Sequence, residues 1–207
     1  TGAARTALRG LATGVRTRAF WYLAVGMVIC GATTMGLIQP HFVPAAHDHG
    51  MPVTAAAGLL ALVGIFDLAG TVASGWLTDR VDPRLLLLAY YVLRGWALLA
   101  LPVLFGPSVE PPMLAFIVFY GLDWVATIPP TLALCREAFG AAAPVLFGWV
   151  FAGHQVGAAL MALIAGVVRD ELGSYDLAWY AGGAVCVLAG VISLFVPRRR
   201  VVAPVAP

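Results

Sequence analysis

Six long apolar stretches, separated by short polar or turn-forming segments, dominate this sequence of 207 residues. The stretches cover about residues 20–44, 54–77, 85–105, 113–134, 145–168 and 177–197. A helix needs about 20 mostly apolar residues to cross the hydrocarbon core of a bilayer, which is roughly 30 Å thick. The sequence therefore predicts an all-α membrane protein with six transmembrane helices. Residues 1–19 and 198–207 would flank this domain on the cytoplasmic side.

The composition excludes several function classes. Only 11% of the residues are charged, against roughly 25% in an average soluble domain. The net charge is +2 and the arginines fall at helix ends, so we expect the lipid bilayer and not nucleic acid as the surroundings. No phosphate-binding glycine loop and no nucleophilic triad is visible in the sequence, so neither an enzyme nor a cofactor is expected.

The arginines indicate how the chain is oriented. All 12 basic residues are arginine; a chain without lysine and rich in alanine and glycine is typical of a GC-rich bacterium. Ten of them fall on one side of the predicted membrane domain, whereas Arg169 is on the opposite side and Arg94 lies within a helix. Because cytoplasmic loops carry the excess of basic residues, both termini are predicted to be cytoplasmic, in a bacterial cell (inner or plasma) membrane.

Three ionisable residues, Asp67, Arg94 and Asp123, fall well inside the predicted spans. At 1.5 Å of rise per residue, each lies about 15 Å deep, near the middle of the bilayer. A charge at that depth costs about 2.5–3.5 kcal/mol on insertion scales, so we expect all three to face inward. Asp67 and Arg94 lie at similar depth on the two helices of a tight hairpin and are predicted to form a structural intramembrane pair.

That pairing leaves Asp123 without an assigned cation. It has three alternatives, which are to pair with Arg94 instead, to bind a proton or to meet a cationic substrate. Burial without a partner favours the protonated acid, which would suit proton coupling. Tyr120, Asp123, Thr127 and Thr131 recur at helical spacing, so they form one polar stripe, predicted to line a water-filled cavity. The threonines have a second option, which is to bond to carbonyls of their own helix.

The fifth apolar stretch carries further polar candidates. Gly153 and Gly157 form a G-x-x-x-G pattern that indicates close helix contact. His154 and Gln155 are adjacent, about 100° apart around a helix, so they cannot both point at one cavity centre. Either side chain faces a substrate or makes an interhelical hydrogen bond.

Two further patterns concern the first apolar stretch. It shares with the fourth a threonine followed by proline, and such breaks at matching positions of two three-helix repeats mark the binding site of many transporters. Its outer end carries His41, His47, Asp48 and His49, which are residue types that bind zinc. Neighbouring loop residues seldom converge on one ion, so a solvated outer loop is favoured and no metal site is expected.

The loop GWLTDRVDPR resembles the signature loop of the major facilitator superfamily, Gly-x-Leu-x-Asp-Arg-x-Gly-Arg-Arg/Lys. The matching residues are Gly75, Leu77, Asp79, Arg80 and Arg84. Asp82 and Pro83 depart from the pattern. From FWYLAVGMVICGATTMGLIQPHFVP through GLDWVATIPPTLALCREAFG to GSYDLAWYAGGAVC, the chain is similar to the carboxy-terminal half of bacterial members, most of all in the branch of monocarboxylate and oxalate/formate carriers.

The resemblance implies a 3+3 inverted repeat that forms the second half of a twelve-helix carrier. The first and fourth helices would line a central cavity, faced by Asp123 and Thr127 and by some of Thr33, Thr34, Gln39 and His41. The second and fifth helices, through Gly153 and Gly157, would pack against the missing amino-terminal half. Asp79, Arg80 and Arg84 would form a cytoplasmic charge network that holds one access state.

The expected function is secondary active transport of a small solute, an organic anion such as a carboxylate, with proton coupling. The first residue is Thr1, so the chain is expected to be a fragment. A half-size protein would need the missing half or a second copy of itself as partner. The competing interpretation is a membrane scaffold or receptor that transports nothing. A channel is disfavoured, because no repeated pore loop or charge ring is visible.

Overall fold

The computed structural model describes residues 2–197, and every regular element in this range is a helix. The helices are α1 (Gly2–Gly14), α2 (Arg18–Gly31), α3 (Gln39–Asp48), α4 (Val53–Thr78), α5 (Pro83–Leu104), α6 (Pro111–Asp123), α7 (Ile128–Phe139), α8 (Ala143–Leu172) and α9 (Asp176–Ser193). A π-helical segment, Ala32–Ile38, joins α2 to α3, and a short 3-10 turn, Gly140–Ala142, precedes α8. The predicted tail, residues 198–207, lies outside the described residues.

Five helical stretches in the described range are long and apolar enough to cross a membrane. The first, Arg18–Asp48, runs through the π-helical segment. The fourth, Pro111–Leu172, contains α6, α7 and α8 and therefore two of the six predicted spans. The helices thus fit the predicted six-span membrane domain, with interruptions in the first and fourth spans.

Local sequence signals explain where the helices begin and end. Proline occupies the first turn of α5, α6, α7 and α8, where its missing N–H group costs nothing. Thr17 caps α2 by accepting a hydrogen bond from the Phe20 amide at 3.3 Å. Gly173 ends α8 with a φ of 77°, in the left-handed conformation that glycine adopts without strain.

The helices pack as three close pairs, α2 with α8, α4 with α6 and α5 with α9. In each pair, a glycine on either helix lies against the other helix, so that the backbones approach closely. The pairs are Gly31 with Gly157, Gly70 with Gly121, and Gly95 with Gly183. Small residues therefore decide which helices become neighbours inside the bundle.

The structure corrects the predicted role of Gly153 and Gly157. A Cβ atom on Gly157 would meet the Val28 backbone, and one on Gly153 would lie 3.2 Å from the Val28 side chain. Both glycines therefore join α8 to α2 inside this six-helix unit and do not face a second half. A G-x-x-x-G pattern indicates close approach of a helix, but it does not identify the helix that approaches.

A methyl group at Gly157 should loosen the contact between α2 and α8. Because the added Cβ would collide with backbone, Gly157→Ala must move one helix, at a cost of about 1–3 kcal/mol. Gly106→Ala, in the loop between α5 and α6, is the control, since no heavy atom of the described chain lies within 4 Å of its Cβ position. We expect a lower thermal unfolding midpoint of the detergent-purified protein for Gly157→Ala only. Equal midpoints for the two variants would contradict the assigned contact.

Candidate functional site

The fourth span is broken in its middle. Helix α6 ends at Asp123 and α7 begins at Ile128, with a turn over residues 124–127 between them. Pro129 and Pro130 occupy the first turn of α7. Since proline has no N–H group, neither can bond to the carbonyl four residues earlier. The carbonyls of Val125 and Ala126 must therefore find other donors.

Side chains from α4 provide hydrogen-bond partners for some of the backbone groups at this break. The Ser74 hydroxyl donates to the Ala126 carbonyl at 2.5 Å, which replaces the hydrogen bond that Pro130 cannot make. One carboxylate oxygen of Asp67 accepts from the Val125 amide at 3.0 Å and from the Thr71 hydroxyl at 3.2 Å. Lipid offers no hydrogen bonds, so a broken span persists only where the protein itself supplies partners.

Arg94 of α5 holds the other side of the break. Its Nε donates to Oδ2 of Asp123 at 2.6 Å, and its Nη2 donates to the Asp123 carbonyl at 2.7 Å and to the Trp124 carbonyl at 3.4 Å. Its Nη1 donates to the Cys30 sulfur at 3.2 Å, and that sulfur lies 3.3 Å from the Thr127 hydroxyl. Arg94 is fully buried and Asp123 is 4% exposed, so the two charges neutralise each other away from solvent.

The predicted Asp67–Arg94 pair is therefore wrong, and the alternative partner, Asp123, is the one that Arg94 takes. Asp67 points at the break and accepts from the Val125 backbone. Similar depth on neighbouring helices does not decide the direction in which two side chains point. In the described part of the chain, the second carboxylate oxygen of Asp123, Oδ1, is buried without a hydrogen-bond partner.

A cavity of about 340 Å³ lies beside this network, within the size range of small-molecule sites. Its polar lining residues are Cys30, Thr34 and His154. Its apolar lining residues are Met35, Trp124, Val125, Ile128, Phe147 and Phe151. The walls thus come from the first span, the break in the fourth span and α8. Cys30 and Trp124 belong both to the cavity wall and to the buried Arg94 network.

Two of the residues predicted to bind substrate or a proton, Thr34 and His154, line this cavity. The Thr34 hydroxyl donates to the Cys30 carbonyl at 2.7 Å. Nδ1 of His154 lies 3.3 Å from Oε1 of Gln155. Gln155 itself is exposed, in keeping with the expectation that the two adjacent side chains point in different directions.

The predicted polar stripe faces the bundle interior and not the cavity, which corrects its expected orientation. Tyr120, Asp123 and Thr127 are buried. The Tyr120 hydroxyl donates to the Thr33 carbonyl at 3.0 Å, and the Thr33 hydroxyl donates to the Ile29 carbonyl at 2.8 Å. The spacing correctly indicated that these residues share one face of the helix. A polar face can line a cavity, but it can equally well form hydrogen bonds to neighbouring helices, as it does here. Their roles in substrate or proton binding stay predictions.

The remaining two candidates lie elsewhere on the first span. Gln39 is exposed at the start of α3. The His41 ring nitrogen Nε2 lies 3.0 Å from the Ala162 carbonyl, and its ring centre lies 5.0 Å from that of Tyr175. His41 therefore joins α3 to α8 and to the turn that follows it.

Sequence reasoning missed most of the cavity wall. Phe147, Phe151 and His154 recur at i, i+4 and i+7, so they share one face of α8. Cys30 and Thr34 show the same i, i+4 spacing on the first span. This was the available signal, but apolar residues in an apolar helix offer no contrast that marks them as binding residues.

The two ends of the bundle carry exposed contacts. Asp48 forms a two-pronged ion pair with Arg169, with the shortest distance 2.8 Å. Among residues 2–197, no group of three or more histidine, cysteine or acidic side chains is arranged to hold a metal ion.

At the opposite end lies the loop between α4 and α5, for which a charge network was expected. The Arg80 guanidinium lies 4.0 Å from the Trp76 ring centre, and Nε of Arg84 lies 3.9 Å from Oδ1 of Asp82. The expected network of Asp79, Arg80 and Arg84, which would hold one access state, stays a prediction. Asp82, which departs from the resembled loop, supplies the carboxylate that Arg84 meets.

Comparison with known proteins shows which protein family this chain is similar to. The sequence profile of the Major Facilitator Superfamily matches residues 22–207. An uncharacterized MFS-type transporter of Bacillus subtilis (strain 168), YcxA, is 31% identical over 187 residues, which are 86% of this chain and 44% of the relative. Monocarboxylate transporter 13 of Bos taurus is 30% identical over 161 residues, 76% of this chain and 37% of the relative. Monocarboxylate transporter 11 of Homo sapiens is 28% identical over 204 residues, 94% of this chain and 43% of the relative.

Solved structures confirm the predicted fold class. The E. coli fucose:proton symporter FucP superposes with a TM-score of 0.75 at 17% identity, covering 92% of this chain and 45% of FucP. A structure of FucP in the outward conformation gives a TM-score of 0.74. The chain spans less than half the length of these relatives and of FucP. Since the named relatives are transporters, the expectation that the chain is not an enzyme is confirmed.

The buried ion pair yields a first prediction about this site. Arg94→Gln leaves the Asp123 carboxylate buried without its cation, which costs about 3–5 kcal/mol. We expect a strongly lowered thermal unfolding midpoint, with much of it recovered in the double variant Arg94→Gln, Asp123→Asn. Arg169→Gln, which breaks the exposed pair with Asp48, is the matched control and should leave the midpoint nearly unchanged. Recovery by Asp67→Asn, and not by Asp123→Asn, would contradict this assignment.

The bond between Asp67 and Val125 yields a second prediction. Asp67→Leu removes the acceptor, so the Val125 amide should exchange with solvent deuterium roughly tenfold faster, as expected for one lost hydrogen bond. Asp67→Asn keeps an oxygen acceptor of the same shape and is the control. Hydrogen–deuterium exchange over residues 121–131 measures the difference. Equal exchange in the two variants would mean that Asp67 does not hold the break.

Proposed function

Because the chain belongs to the major facilitator superfamily, we propose that it forms the carboxy-terminal six-helix half of a twelve-helix secondary transporter for a small organic anion. The cavity beside the interrupted first and fourth spans carries this proposal. Its walls include the π-helical segment and the break after Asp123. Discontinuous helices near the middle of the bilayer commonly bind the substrate in secondary transporters, which alternate access by rocking around that point.

A carboxylate is the proposed class of substrate. Two of the relatives described above bear the name monocarboxylate transporter, and this supports the class without identifying a compound. His154, which lines the cavity, supplies the cationic character that an anion requires.

Proton coupling is proposed to act through Asp123. Its Oδ1 atom is buried and without a hydrogen-bond partner in the described chain, so it is free to receive a proton. Protonation would weaken the attraction to Arg94 and so loosen the joint between α5 and the break. Binding of the proton and binding of the substrate would then both change the contacts of Arg94 and of the break.

The missing half is proposed to cover α4 and α8. Both helices present large apolar side chains outward, among them Leu68, Val72, Leu160 and Leu163. Gly58, Gly64 and Gly75 on α4 and Gly148 and Gly166 on α8 have no heavy atom of the described chain within 4 Å of their Cβ positions. Small residues on an outward face allow another helix to approach closely. An amino-terminal half or a second copy of this chain would fit there.

The arginine distribution supports a cytoplasmic location for α1 and for the loop between α4 and α5. Together with a composition free of lysine and rich in alanine and glycine, this favours the plasma membrane of a bacterial cell as the proposed location. An immunoblot of unprocessed membranes would show the size of the native product. A band of about twice the mass of this chain means that both halves share one polypeptide.

Uptake by the full-length gene product in proteoliposomes tests the function. We expect uptake of radiolabelled lactate or acetate above that of protein-free vesicles, and a several-fold faster uptake when the outside is made acidic. A protonophore should abolish the acceleration, because it removes the proton gradient but leaves the carrier intact. An uptake rate that is the same with and without the proton gradient would refute proton coupling. No uptake of any small carboxylate would refute the proposed substrate class.

A further inference from the structure

We infer that the cavity binds the aromatic ring of a monocarboxylate, with a single carboxylate held near His154. This inference rests on the proposed transport function and narrows its substrate class. It concerns the wall that this chain contributes, between the break in the fourth span and α8.

Aromatic rings face the cavity from two different elements. Trp124 stands in the break of the fourth span, whereas Phe147 and Phe151 stand on α8. All three side chains are only partly buried, so their rings retain free surface toward the cavity. A planar ligand in this cavity therefore meets aromatic side chains from both elements.

The rings on α8 form a continuous stack. The ring centres of Phe147 and Phe151 are 6.1 Å apart with an angle of 26° between the planes. Those of Phe151 and His154 are 5.2 Å apart and nearly parallel, at 9°. Aromatic pairs gain energy beyond their buried area when they adopt offset-stacked geometry. A ligand ring would extend this stack, which an aliphatic chain of similar length cannot do.

The polar groups of the wall suit one negative charge and not two. Of the nine lining residues, His154 is the one whose ordinary chemistry includes a positive charge near neutral pH. Among residues 2–197, one further cation reaches the wall, Arg94 behind Cys30, and its Nε is already committed to Asp123. The Thr34 hydroxyl is likewise engaged, with the Cys30 carbonyl. A second carboxylate would lie against apolar side chains without a partner, which is costly.

Binding to the purified full-length protein tests this inference with 3-phenylpropionate and propionate, which share a carboxylate and differ in the ring. We expect 3-phenylpropionate to bind about tenfold more tightly, because ring burial and stacking favour it. Phe151→Leu keeps an apolar side chain but removes the ring. It should reduce the preference for 3-phenylpropionate over propionate to about threefold or less.

Controls separate ring recognition from folding. Phe119→Leu makes the same change in a different groove, between α5 and α6, and should leave the preference unchanged. Phe147→Leu is the second cavity variant. It should reduce the preference in the same direction, which keeps the inference testable if Phe151→Leu does not yield folded protein. The thermal unfolding midpoint of each variant without ligand checks the fold.

The outcomes distinguish the two proposals. Equal affinity for the two acids, or an unchanged preference in both cavity variants, overturns the inference and leaves carboxylate transport standing. Binding of neutral 3-phenylpropanol as tightly as 3-phenylpropionate overturns the role of the carboxylate. If phenylsuccinate, which carries two carboxylates, binds as well as 3-phenylpropionate, the restriction to one charge is wrong. If neither monocarboxylate binds, the inference and the proposed substrate class both fail.

Discussion

Lipid cannot hydrogen-bond to a polypeptide backbone, and this constraint governs the architecture around the broken fourth span. Pro129 and Pro130 remove two backbone hydrogen bonds near the middle of the bilayer. Asp67, Ser74 and Arg94 supply partners from the two helices that pack against the break. Two of the three ionisable residues that are most costly to bury are thus required by the break itself, and the third, Asp123, neutralises Arg94.

The same residues connect the interior of the bundle to the cavity. Arg94 contacts Cys30 on one side and the carbonyls of Asp123 and Trp124 on the other. Cys30 and Trp124 also line the cavity. A change in the charge pair would therefore alter the wall at which we propose that a solute binds, through direct contacts alone. Such direct contact between a buried ion pair and a cavity wall would suit the proposed coupling of solute and proton.

Prediction from the sequence succeeded for features that depend only on the order of residues along the chain. The lengths and spacing of the apolar stretches indicated six spans, and the loop from Gly75 to Arg84 indicated the superfamily. Prediction failed where the rotation of a helix about its own axis matters. Asp67 lies at the depth of Arg94 but faces Val125, and Gly157 faces α2 and not an absent half. The aromatic wall on α8 was missed because phenylalanine is unremarkable within an apolar span.

The sequence by itself determined that this chain is a membrane-embedded helical bundle, because hydropathy along the chain reports which solvent each segment meets, and the loop from Gly75 to Arg84 indicated its superfamily. Only the tertiary structure decided that Arg94 pairs with Asp123 and that Phe147, Phe151 and His154 form one cavity wall. Both outcomes depend on how closely the helices approach at their glycines and on how each helix is rotated about its axis. These are properties of packing between segments distant in sequence, and no single segment encodes them.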